Sequence, residues 1–337
     1  MSTAHLDNRK IKLYNNIIMN ERSAGVKIYE YKRDGFVSLH GKRVMALGFF
    51  DGVHIGHREL LDAARNRAAR DGLPFAVFTF RSESKSIKTG ARLYGTEEKL
   101  SLLNECGADE IVLADFEDLH GMSAEKFVYG LLIGECGCTV AVTGRDFRFS
   151  CGAAAGTQEL GRMMRESGGD VLLVDDVTKF GKKVSTTAIK DYLAEGSIIS
   201  ANAMLGAPYF ISAAVERGRG VGRTLGFPTL NCDLKENTGI LRHGVYLSLA
   251  EIGNTKHPAL TNVGTCPTFE ERREHAEAFL LDFDGEVYGE RVRIHLLRFV
   301  REERRFANAD ELTRQVKCDI EKAKKEFDEI WQATGQS

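Results

Sequence analysis

Gly48 to His57 reads GFFDGVHIGH and follows directly on the apolar run Val44 to Leu47. That run reads as a buried strand. The residues after the motif put Leu60, Leu61, Ala64 and Ala68 on one face of a helix. His54 and His57 therefore stand where a buried strand hands over to a helix. Backbone N–H groups and the helix dipole make such a terminus a natural anion site. Histidines placed there can meet a phosphate as its charge redistributes in a transition state. Alone, two histidines three residues apart are no more than a surface turn; the strand–turn–helix setting makes the pattern specific. Asp51 in the same loop reads either as a phosphate-side group or as a cap of the following helix.

Outward from this point the chain alternates strands and helices. Val44–Phe49, Phe75–Phe80, Glu110–Ala114, Thr139–Thr143 and Val171–Val174 are candidate strands, with helical patterns at Glu97–Cys106 and Ala124–Ile133. The alternation predicts an α/β doubly wound parallel sheet, with ligands beyond the carboxyl ends of its strands. After about residue 195 the character changes. Only Pro74 precedes that point, whereas Pro208, Pro228, Pro258 and Pro267 follow it. Short alternating segments at Tyr246–Leu249, Ala278–Phe283 and Val292–Phe299 predict an antiparallel sheet or small β-barrel. A long C-terminal helix from Ala309 to Gln332 carries Leu312, Val316, Ile320, Phe327 and Trp331 on one face. The expected domains are an N-terminal extension over 1–25, an α/β domain over 26–193, a linker over 194–209 and a barrel domain over 210–337.

Composition bounds the function. With 337 residues, 43% hydrophobic and 28% charged, the chain has the make-up of a globular protein large enough for two cores. A net charge of −2 offers no general attraction to nucleic acid or to an anionic membrane. No apolar run approaches a membrane span and the N-terminus lacks a signal-peptide pattern, so a cytoplasmic location is expected. Seven dispersed cysteines without paired CxxC units read as reduced thiols, and no structural metal is expected. The sequence leaves the oligomeric state open.

Two further motifs lie downstream. Residues 217–231 read RGRGVGRTLGFPTLN, where Gly218, Gly220 and Gly222 form a loop whose backbone can approach phosphates. Gly226 and Pro228 shape a turn that delivers Thr229 and Asn231, two apart and so on one side of an extended segment. Their oxygens are hard ligands suited to magnesium that already carries phosphates. Residues 277–289 read EAFLLDFDGEVYG. Together, and in this order, the three motifs resemble those of bifunctional bacterial riboflavin kinase/FAD synthetases. The similarity runs from about Lys27 to Phe327.

The resemblance implies an FMN adenylyltransferase domain of the HxGH type followed by a riboflavin kinase domain. ATP, riboflavin and FMN would be the substrates and Mg2+ would accompany ATP. It assigns Gly48, Asp51, His54 and His57 to the triphosphate, with the two histidines acting in catalysis, and makes Glu277 the kinase base. In VSTTAIK, residues 184–190, it places Ser185 and Thr186 on phosphate and Lys190 where the family has arginine. In GRDFRFSCG, residues 144–152, Asp146 reads as a contact to the nucleotide or as a structural turn. Gly218, Gly220 and Gly222 fold over the nucleotide, Thr229 and Asn231 hold the metal, and TNVGTCPTF, residues 261–269, walls the flavin site. One departure stands out: the family's T-F-[D/N/E]-P-x-P is here Thr79-Phe80-Arg81-Ser82-Glu83-Ser84. Losing both prolines predicts a more mobile loop, and Arg81 brings a positive charge toward the expected flavin site. The leading expectation is an enzyme with both activities. The alternatives are a riboflavin kinase with an impaired or purely binding N-terminal domain, and a flavin-binding regulator without turnover.

Overall fold

The computed structural model describes residues 25–33, 35–36, 38–83, 91–216, 229–234, 240–267, 272–281, 283, 285 and 287–334. The chain packs as two units, Met1–Thr186 and Thr187–Ser337.

The first unit is built on six strands: β1 (Lys27–Tyr31), β2 (Arg43–Leu47), β3 (Phe75–Phe80), β4 (Glu110–Ala114), β5 (Cys138–Gly144) and β6 (Asp170–Val174). All pair in parallel, in the order β1-β4-β3-β2-β5-β6. β2 lies inside the sheet and every one of its residues is buried, because both faces are covered. Met45 and Leu47 pack with Phe127, Val128, Leu131 and Leu132 of a wide, π-type helical stretch, Lys126–Glu135, and with Leu160, Met163 and Met164 of the helix Thr157–Glu166. Val44 and Ala46 face the other layer, where helix α1 (Ile55–Asp71) packs on β2. Helix α2 (Thr96–Glu105) follows β3. Strand order reverses at β2: β3 lies on one side, β5 on the other, and the crevice of such a sheet opens at that point.

Two expectations change here. β1 was not among the candidate strands; its mixed pattern, with Lys27 exposed and Tyr29 and Glu30 half-buried, is that of an edge strand. The expected linker 194–209 contains a packed helix, Ile198–Leu205, with Ile198, Ala201, Met204 and Leu205 buried. Asn202 holds it down, donating from Nδ2 to the Leu296 carbonyl and accepting from the Tyr209 amide, both at 2.8 Å.

The second unit is a closed six-stranded antiparallel barrel. Its strands are β7 (Tyr209–Glu216), β8 (Thr229–Asp233), β9 (Gly244–Ile252), β10 (Thr255–Pro267), β11 (Arg272–Leu280) and β12 (Arg291–Arg301). They run β7-β8-β11-β10-β9-β12, and β12 pairs back onto β7. Ser248 and Thr261, both fully buried, share a 2.7 Å hydrogen bond. Outside the barrel Val245, Leu247, Leu260 and Leu281 pack against Ala323 and Phe327 of the C-terminal helix, Ala309–Thr334. Ile320 joins that contact, and Leu312 and Val316 border a cleft beside it. The side chain of Trp331 lies outside the described structure.

A charged clamp completes the docking. The Arg301 guanidinium donates to Asp319 Oδ2 from two nitrogens, at 2.9 and 2.8 Å, and Gln315 Nε2 donates to Oδ1 at 2.7 Å. Asp319 is buried, so each bond replaces a water it gave up. Asp319→Ala is expected to lower the stability of the second unit by about 1–3 kcal/mol. Urea unfolding followed by the single tryptophan, Trp331, measures it; an unchanged midpoint would show the clamp to be dispensable.

Candidate functional site

The turn after β2 must leave a strand buried on both faces and enter α1 within seven residues. It does so through left-handed backbone at Phe50 (φ 54°), Gly52 (φ 83°) and Val53 (φ 41°). Glycine adopts this conformation freely. A β-branched valine does so only at a cost, held here by complete burial of Phe50 and Val53. His54 is then extended (φ −67°, ψ 171°) and caps α1: its Nδ1 accepts from the His57 amide at 3.2 Å. The cap is thus His54 and not Asp51. Asp51 is buried and turned elsewhere, with Oδ1 accepting from the Leu93 amide at 3.0 Å. The backbone carbonyl of Asp51 accepts from Thr186 Oγ1 at 3.2 Å, which brings Thr186 to the histidine turn.

The two imidazoles stack, with centroids 3.6 Å apart and planes 12° apart. The ring of Phe50 meets His57 edge-on at 5.3 Å. Gly48 leaves room for that ring, since a Cβ there would fall 2.9 Å from Phe50 Cζ. Burial, above all, pushes His54 down to about 4. His57 is held well below its ordinary range by burial, and further by His54 and Lys99. Both rings are therefore neutral near pH 7. Because Nδ1 of His54 accepts a hydrogen bond, its proton sits on Nε2. The turn presents an N–H donor where a cation would have cost desolvation.

Lys99 escaped the sequence reading, since EEKL at a helix start looks like solvated surface. It is completely buried on α2. Its ammonium donates to the carbonyls of Phe80 and, at 3.3 Å, Phe49, and lies 4.4 Å from the centre of the Phe49 ring. It thereby ties the carboxyl end of β3 to the turn after β2. Burial pushes Lys99 down to about 8. Asp146, just past β5, is exposed and accepts from Lys183 Nζ at 2.8 Å. Ser185 precedes Thr186, and Lys190 lies one helical turn beyond it, in the second unit.

The altered loop is described as far as Glu83. Arg81 pairs with Glu30 at 2.7 Å and with Asp115 at 3.4 Å, and its amide donates to the Ala114 carbonyl at 2.9 Å. Its charge is thus matched by carboxylates of β1 and of the turn after β4. Glu83 caps α2 by accepting from the Thr96 amide at 2.9 Å and from its hydroxyl. Ser84 and the residues to 90 lie outside the described residues.

In the barrel, Thr229 stands opposite Phe279 and Asn231 opposite Glu277, while Asn262 flanks Glu277 from β10. Alternation puts Thr229, Asn231 and Glu277 on one outer face. Asn231 Nδ2 donates to the Thr229 carbonyl at 3.1 Å, which leaves Oδ1 as its hard oxygen. Thr229, Glu277, Phe279 and Asn262 border a cleft of about 570 Å³, closed on the far side by Arg301, Glu303 and Phe306. Gly218, Gly220, Gly222, Gly226, Pro228 and Phe269 lie outside the described residues, as does Asp282. His275, unmarked by any motif, has its Nε2 3.0 Å from Glu277 Oε1.

The chain's likeness to known proteins agrees in its division. A family profile described as FAD synthetase matches residues 37–188, and one described as riboflavin kinase matches residues 205–327. The Escherichia coli K12 protein named bifunctional riboflavin kinase/FMN adenylyltransferase is 33% identical over 82% of this chain and 90% of its own length. The Bacillus subtilis 168 protein of the same name is 32% identical over 86% and 94%. A solved chain from Streptococcus pneumoniae, called a macrolide-efflux protein, superposes with a TM-score of 0.78 at 28% identity, over 88% of this chain and 98% of that one.

The neutral histidines carry a stability consequence. Unfolded, they take up protons below about 6.5; folded, His54 does so only near 4, so stability is full above 6.5 and is lost as pH falls toward 4. His54→Asn keeps a capping oxygen and removes that titration. The acid loss of thermal stability in the first unit should therefore be shallower in His54→Asn than in the parent. Parallel curves would show that His54 does not carry it.

Proposed function

The chain belongs to the bifunctional riboflavin kinase/FMN adenylyltransferase family, and on that premise we propose how its two units divide the work: the barrel converts riboflavin to FMN, and the parallel-sheet unit converts FMN to FAD. Both steps consume ATP. The observation that carries this reading is the pair of separate constellations, a histidine turn at the switch point of the sheet and a Thr–Asn–Glu face on the barrel.

In the adenylyl transfer, an FMN phosphate oxygen attacks the α-phosphorus of ATP and pyrophosphate leaves. The nucleophile is already an anion, so no base is needed. His54 and His57 act as neutral donors to the phosphate oxygens, alongside the amides at the start of α1. Asp51 and Thr186 fix the loop; Gly48 seats Phe50 behind His57. Ser185 and Asp146 complete the nucleotide contacts. Arg81, paired with Glu30 and Asp115, brings no unmatched charge to this half.

In the phosphoryl transfer, Glu277 takes the proton of the ribityl 5′-hydroxyl as its oxygen bonds to the γ-phosphorus and ADP departs. Thr229 and Asn231 offer two neutral hard oxygens, and no cluster of three His, Cys, Asp or Glu exists among the described residues. Such a donor set fits a divalent ion that brings its own phosphate ligands, and we take it as magnesium. Magnesium bound with ATP neutralises charge between the phosphates. No described helix is long and apolar enough to cross a membrane, and we place both reactions in the cytoplasm.

The test starts beyond the kinase: purified protein with FMN, ATP and magnesium should yield FAD and pyrophosphate, and failure to do so removes the second activity. Glu277→Ala should abolish FMN formation, by roughly a hundredfold or more, and spare FAD formation from FMN. His57→Ala should show the converse. Loss of both activities in either variant would contradict the division of labour.

A further inference from the structure

His275 precedes Glu277 by two residues on β11 and so shares its face of the strand. Opposite His275 stand Asp233 on β8 and Gly264 on β10. Glu303 occupies the space that a side chain at Gly264 would take, its Oε1 lying 2.0 Å from the Cβ position, and accepts from Asn262 Nδ2 at 3.0 Å. The ring is thus walled on three sides.

Its hydrogen bonding is one-sided. Nε2 meets Glu277 Oε1 at 3.0 Å, while Nδ1 is buried and has no partner among the described residues. A proton on Nδ1 would bury an unmet donor. A bare Nδ1 lone pair, with the proton on Nε2, costs less and makes the contact to the carboxylate a true N–H donor bond. The hydrogen bond to Glu277 raises the imidazole above its ordinary range against the opposing effect of burial, with Glu303 and Asp233 adding to the rise. Glu277 itself is a half-exposed side chain with three free torsions. Apart from the contact with His275, nothing in its own strand fixes which oxygen faces the cleft.

We propose that His275 is a positioning residue of the kinase: through Nε2–H it holds Oε1 of Glu277 and leaves Oε2 as the oxygen that accepts the substrate hydroxyl proton. This rests on the reading of Glu277 as the base. The interaction spends one carboxylate oxygen on orientation and reserves the other for proton transfer, the arrangement a base needs if its reach is to be constant from one turnover to the next.

The full-length protein is assayed for riboflavin phosphorylation in three variants. His275→Leu removes the donor and should lower kcat roughly ten- to a hundredfold, the range seen when an orienting partner is lost, with the riboflavin KM little changed. His275→Gln places an amide N–H near the position of Nε2 and should recover most of that loss. Glu277→Gln separates the two ideas. If it is inactive while His275→Leu matches the parent in kcat, the positioning role is overturned and the base stands. If Glu277→Gln retains parental kcat, the base reading falls and the positioning role with it. A His275→Leu defect confined to KM, or one that His275→Gln does not relieve, also overturns the proposal.

Discussion

The architecture of the first unit turns on one constraint. β2 is buried on both faces, and the chain must escape from its end without leaving unmet backbone groups in the interior. Only a tight reversal does this, and three residues take up left-handed backbone to make it. The reversal delivers His54 in the one extended conformation from which its ring can cap α1. What caps the helix is therefore also a residue we propose to meet the triphosphate. Burial of Val53, the fit of Phe50 against Gly48 and the ammonium of Lys99 on the Phe49 and Phe80 carbonyls all maintain this one turn.

On the proposed assignment of residues, the two sites solve different electrostatic problems. In the first, the acceptor arrives charged, so the protein contributes neutral N–H donors whose desolvation cost is small. In the second, the acceptor is a neutral hydroxyl, so the protein keeps a carboxylate at a cleft edge where water still reaches it. The buried histidines of one site and the half-exposed glutamate of the other follow from the charge of the incoming substrate.

Local patterning carried most of the fold. Phe75–Phe80 and Glu110–Ala114 were legible because central parallel strands are continuous apolar runs. β1 was not, because an edge strand needs only part of its surface apolar. The helix Ile198–Leu205 was taken for a connection, since a short apolar stretch between glycines shows no clear period until its packing partner is known. At the sites, motif residues were readable and their supports were not. Lys99 looks like a surface lysine until the end of β3 and the turn after β2 enclose it. His275 has no motif at all, and its pairing with Glu277 exists only through strand alternation. Arg81 seemed a stray charge in the sequence, because Glu30 and Asp115 are remote from it along the chain and adjacent only in the sheet.

Closure of the barrel has a consequence for the order in which the protein is made. The strand that completes it, β12, is also the strand that β7 needs as a neighbour, and it ends at Arg301. The short pairing of β7 with β8 can form early, but translation must reach Arg301 before the first strand of the barrel can find its second partner. The parallel sheet has no such debt, since its last strand is finished at Val174. The nascent chain thus carries a completed domain ahead of an unclosed one, and the contacts that must wait are those spanning the greatest length of sequence.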